Sequence, residues 1–206
     1  MPRPRRTDRR AARVRRLARI AALAAVGRAG DLVPAFRAAV RERVPLRAIR
    51  ETLLQVTLFA GFPRTVNALE ALERALGPRA ADRPERLRGD GVLRRRGEAL
   101  FRRVYGPDAD RVLEDIGGRH PEFRDWILRD AYGRVLGRPG LDAAERECVA
   151  VALLATLDLP RQQIAHLRGA VRCGARPAEI RAALDGVRGV APGPAVRFAR
   201  DRILRV

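Results

Sequence analysis

Apolar residues recur at three- and four-residue spacing along most of the 206-residue chain. No stretch shows the two-residue alternation of a half-buried strand. The pattern predicts an all-α protein. An apolar helix is expected over about Arg9 to Val26, followed by a turn and a second helix over about Asp31 to Arg43. "VPLRAIRETL" then opens a third helix behind a proline, a usual first-turn position. That helix is expected to run to Ala60, break at Gly61-Phe62-Pro63 and resume through "RTVNALEALERAL". Glycine can end a helix, and proline can sit in the first turn of the next. The same order returns near the C-terminus, with helices over about Ala143 to Leu157 and Pro160 to Val171. "ARPAEIRAAL" follows as the third helix, and "VAPGPAVRFARDRIL" stands for its continuation.

The two runs align without a gap when the chain is shifted by 131 positions. Identities include Arg37/Arg168, Ala39/Ala170, Val40/Val171, Ile49/Ile180 and Leu53/Leu184. Arginine and alanine matches mean little in this composition, but matched apolar positions at helical spacing carry weight. The expected organisation is a basic arm over 1–8, a first copy over 9–76, a linker over 77–95, connecting helices over 96–140 and a second copy over 141–206. Phe123, Trp126 and Tyr132 of the connecting block are available for packing. A repeated helical unit rarely buries its apolar face alone, so the copies should pack on each other or on another chain.

Composition narrows the chemistry. The formal net charge is +19, and every positive side chain is arginine, because the chain has no lysine. Serine is also absent, and Asn67 is the single asparagine. No Ser-His-Asp triad, Schiff-base lysine or phosphate-loop lysine is therefore available. Two histidines and two separated cysteines cannot build an ordinary structural zinc site, so no metal is expected. A basic surface attracts polyanions, but 4% aromatic residues supply few stacking platforms, which argues against a nucleic-acid partner. No run of 18 apolar residues suggests a membrane span, and no signal-peptide core follows the basic start. The chain reads as cytoplasmic, with Cys148 and Cys173 as buried, unpaired thiols.

Two stretches carry a resemblance to a known family. "ETLLQVTLFAGFPRTVNALEAL" (51–72) resembles the third-helix motif of carboxymuconolactone decarboxylase-like proteins. "DAYGRVLGRPGLDAAERECVAVALLATLDLPRQQIAHLRGAVRCGARPAEI" (130–180) resembles that family's preceding half. The family lies in the alkylhydroperoxidase-like superfamily, whose peroxidase branch carries Glu…Cys-x-x-Cys-x-x-x-His. Glu147 and His166 match this pattern, but Leu159 and Gln162 stand at the cysteine positions. The resemblance therefore points to the decarboxylase branch, and to an AhpD-like helical bundle that forms a homo-oligomer. It implies decarboxylation of a small carboxylated lactone without a cofactor, since the conjugated carbonyl can accept the electron pair. In this reading His166 is the general acid, Arg168 or Arg138 clamps the substrate carboxylates, and Glu51 and Gln55 orient or relay.

The family's motif is divided between the copies. The first has Glu51 and Gln55, but Ala35 where a histidine is expected; the second has His166, but Ala182 and Gly186 at the acid and amide positions. A composite site is expected, with His166 facing Glu51 and Gln55. Glu147 is a second candidate partner. Counted from a turn at Leu159, it stands about 7 to 8 Å out of register with His166, so contact would need tilted helices. Otherwise Glu147 caps or solvates its helix start. His120, before Pro121, reads as a helix-entry residue. The rival readings are a non-catalytic helical scaffold, a thiol-dependent peroxidase using Cys148 or Cys173, and a nucleic-acid binder using the basic arm.

Overall fold

The computed structural model describes residues 6–77 and 89–203. The first five residues of the expected arm, the linker between 78 and 88, and residues 204–206 lie outside them. Helix α1 spans Arg6–Val26, α2 Ala29–Arg41 and α3 Leu46–Leu76. Helices α4 (Asp90–Tyr105), α5 (Ala109–Arg119) and α6 (Pro121–Trp126) follow, and α6 continues as a π-helical stretch over Ile127–Leu136. Helices α7 (Ala143–Thr156), α8 (Pro160–Arg172), α9 (Pro177–Gly186) and α10 (Gly193–Arg200) complete an all-α fold. No strand occurs among the described residues. Helix α1 begins inside the expected arm, and α4 begins five residues before the expected end of the linker.

Helix α3 bends where the sequence predicts. Gly61 takes φ 81° and ψ 171°, a conformation open to glycine, and helix resumes on both sides of it. The 131-residue shift also relates helix ends, because α2 and α8 start and stop at corresponding positions, as do the starts of α3 and α9. Gly61 corresponds to Pro192, the residue immediately before α10.

Helix α7 is buried from Ala144 to Thr156 on every side. A helix without a solvent face belongs in the centre of a bundle. Val149 and Leu153 of α7 join one core with α2, α3 and one face of α1. Cys148, Val151, Ala152 and Ala155 join the other, with α4, α8, α9 and α10. The start of α7 is held by a reciprocal cap. The Glu145 N–H donates to Asp142, and the Asp142 N–H donates to Glu145. Arg10 and Arg13 of α1 pair with Asp142 and Glu145, fixing α1 against α7.

Phe123 and Trp126 are half exposed rather than packed, whereas Tyr132 is buried. Gly97 and Gly133 let α4 and the π-helical stretch approach closely, since a Cβ on either would strike the other element's backbone. A similar approach occurs at Gly186 of α9, where a Cβ would overlap the Arg15 carbonyl oxygen. Gly186→Ala is expected to destabilise the fold by about 1–3 kcal/mol in urea unfolding. Gly30→Ala, with nothing within 4 Å of the new methyl group, should hold the midpoint or raise it slightly.

Candidate functional site

His166 sits in the second turn of α8 and faces α7. Its Nδ1 lies 2.9 Å from Glu147 Oε2, and both side chains are buried. An ionised carboxylate only accepts hydrogen bonds, so Nδ1 is the donor and Nε2 is left as the working nitrogen. Nε2 has no hydrogen-bond partner among the described residues, and the side chain keeps 11% of its surface open. The dyad therefore has an oriented ring with one nitrogen unpaired among the described residues.

The expected misregister of this pair shrinks when distances are counted from the helix ends. Glu147 lies nine residues before Thr156, and His166 lies six after Pro160. The remaining offset is about 4.5 Å along the axes, which two side chains can span. The neighbouring rung repeats the geometry, because Gln163 Nε2 donates to the Val151 carbonyl at 3.3 Å. Glu147 does not cap its own helix; Asp142 and Glu145 do.

Space for the carboxylate comes from Gly169, one turn beyond His166. A Cβ there would lie 2.5 Å from Glu147 Oε2 and 2.7 Å from a Val104 methyl carbon. Phe59 of α3 meets the imidazole edge to face, with ring centroids 6.0 Å apart at an angle of 66°.

The expected contact of His166 with Glu51 and Gln55 does not form. Glu51 is buried and pairs with Arg138 at 3.0 Å and with Arg146 at 2.9 Å. Gln55 donates to the Arg146 carbonyl at 2.8 Å. A carboxylate in the core is stabilised by a cation, and α7 presents Arg146 to it. The α3 residue that reaches His166 is Phe59, two turns and about 12 Å farther along the helix than Glu51. Thus α3 does touch the ring, but through an aromatic side chain.

Neither expected carboxylate clamp lies in the dyad. Arg138 is turned to Glu51. Arg168 is exposed and lies two residues beyond His166, about 200° around the helix. Its charge is felt by Asp108, which lies 3.7 Å from Arg172 of the same helix.

Arg146, Phe59 and Gly169 escaped the reading of the sequence. Arg146 left a usable signal, as the one arginine, between Glu145 and Glu147, of a helix that runs on as "CVAVALLAT". Phe59 and Gly169 left none, because their roles depend on which helices become neighbours. His120 takes its expected place, its Nδ1 accepting from the Phe123 N–H at 3.3 Å to start α6.

Cys148 and Cys173 are free and buried. Burial pushes the Cys148 thiol well up, and the charge of Glu147 adds to the effect. Burial, again with a contribution from Glu147, pushes Cys173 up to about 11. A nucleophilic thiol needs the opposite shift. Neither cysteine is therefore expected to react with a maleimide in the native protein at pH 7 to 8, and full labelling should appear only on unfolding. Rapid native labelling would restore the thiol-dependent alternative. Among the described residues, no three His, Cys, Asp or Glu side chains gather as a metal site would require. No described helix is long and apolar enough to cross a membrane.

The match to a family model falls on the part of the chain that holds the dyad. Residues 121–203 match the model of the carboxymuconolactone decarboxylase family. This segment belongs to that family. It contains both Glu147 and His166, whereas Glu51 and Gln55 lie outside it. The chain is 32% identical over 72 residues to 4-carboxymuconolactone decarboxylase of Acinetobacter baylyi, covering 35% of this chain and 54% of that protein. It thus spans about half the length of that decarboxylase. A longer match, 26% identical over 155 residues, is to Peroxisomal protein 2 of Schizosaccharomyces pombe and covers 74% of this chain and 73% of that protein.

Proposed function

We propose that the protein decarboxylates a small carboxylated lactone of the 4-carboxymuconolactone type, with His166 delivering a proton to carbon. The observation that carries this reading is the buried Glu147–His166 hydrogen bond with Nε2 left open. In the proposed reaction the bond between ring carbon and carboxylate breaks, CO2 leaves, and the electron pair enters the conjugated carbonyl as an enolate. His166 then gives its Nε2 proton to carbon and is reprotonated from solvent. Glu147 holds the ring through Nδ1 and stabilises its positive charge before transfer. No outside oxidant, reductant or cofactor is needed for this balance. Arg138, paired with Glu51, and Arg168, exposed on α8, take no part in the proposed reaction.

The chain is proposed to hold one such site. At positions 131 residues before Glu147 and His166 stand Arg16 and Ala35, and Arg16 is paired with Glu42. The same reading makes the protein a cytoplasmic homo-oligomer, although the name of the fungal relative associates that protein with the peroxisome. The test is incubation of 4-carboxymuconolactone with the purified protein, following CO2 release and the decarboxylated lactone by NMR. Turnover by the parent and its loss on replacement of His166 is the expected result. A folded parent with no turnover above buffer would overturn the assignment.

A further inference from the structure

We propose that Gly169 is a positioning residue for the His166 dyad, kept without a side chain so that the Glu147 carboxylate can reach the imidazole. The inference rests on the reading of that dyad as the working site, and it begins from an unfavourable choice of residue. Gly169 lies inside α8, where it has an ordinary helical backbone and no need of glycine's conformational range. Alanine would favour the helix at such a position. What alanine lacks here is space, because its Cβ would lie 2.5 Å from Glu147 Oε2. That oxygen is the one that accepts from His166 Nδ1.

Turning Val104 Cγ1 of α4, 2.7 Å from the new methyl group, would relieve only that contact and leave Glu147 Oε2 in the way. The backbones of α7 and α8 are held in register by the Gln163 side chain on the Val151 carbonyl. The atom that must give way is therefore the carboxylate end of Glu147. Moving it breaks the hydrogen bond that selects the tautomer and aims Nε2. Gly169 touches no reacting atom in this scheme; it acts through Glu147.

A Gly169→Ala protein is expected to lose the downfield proton resonance of His166 Nδ1–H, read without substrate. Turnover of 4-carboxymuconolactone should fall by about a hundredfold, the scale of an ångström-sized misplacement. The decisive comparison is the double-mutant cycle with Glu147→Ala. With the carboxylate removed, adding Gly169→Ala should cause no further loss of turnover and should leave the melting temperature equal or higher. This arm reads out even if the single Gly169→Ala variant fails to fold. An unchanged Nδ1–H resonance in folded Gly169→Ala would overturn the proposal, as would a further loss of stability or turnover in the Glu147→Ala background. Because the resonance is observed without substrate, a parent that does not turn over this lactone still tests Gly169.

Discussion

A His166→Gln protein is expected to fold as the parent does and to lose turnover by about two to four orders of magnitude, the usual worth of a positioned general acid. Glutamine keeps a donor that can reach the Glu147 carboxylate, so burial of that charge remains compensated. Its amide cannot release a proton to carbon at neutral pH. Circular dichroism and urea unfolding should therefore match the parent closely while product formation disappears. A variant that keeps turnover within tenfold of the parent would remove His166 as the acid.

The second large effect is on stability. Glu51→Ala should lower the unfolding free energy by about 3–5 kcal/mol, the cost of stranding a buried partner. The stranded group is Arg146, which is 1% exposed and whose Nε and Nη1 have no hydrogen-bond partner among the described residues. Burial already lowers its affinity for a proton, and the Glu51 carboxylate acts against that shift. Removing the carboxylate leaves Arg146 with the Arg138 carbonyl, 3.0 Å from Nη2, as its acceptor. Glu51→Gln, which retains an acceptor oxygen, should lose less. Urea unfolding with an unchanged m-value would establish that the native state is the one affected. Folded Glu51→Ala should retain turnover within a few fold. A large loss of turnover with little loss of stability would instead put Glu51 back in the chemistry.

Much of the architecture could be read directly from apolar spacing and helix punctuation. Gly61 and Pro63 place the bend in α3, Pro160 and Pro177 open α8 and α9, and one shift relates α2 to α8 and the start of α3 to that of α9. Such signals are local, because each depends on the backbone needs of a few adjacent residues. The site is not local. Glu147 and His166 could be matched to a pattern by resemblance, but their contact depends on where a helical hairpin turns. Glu51 and Gln55 have the right residue types at i and i+4, yet α7 meets them with Arg146 and a backbone carbonyl. Arg168 is close to His166 in sequence, but helical rotation carries it away from the ring.

Arg146 and Glu147 are consecutive residues of one helix, yet the first is tied to α3 and the second to α8. Each residue turns a helix by about 100°, so the two side chains leave α7 in different directions and act as a fixed angle bracket. Gaining or losing a single residue within α7 would rotate one arm of that bracket off its target. The length of this helix is thus as much a determinant of chemistry as any side chain it bears.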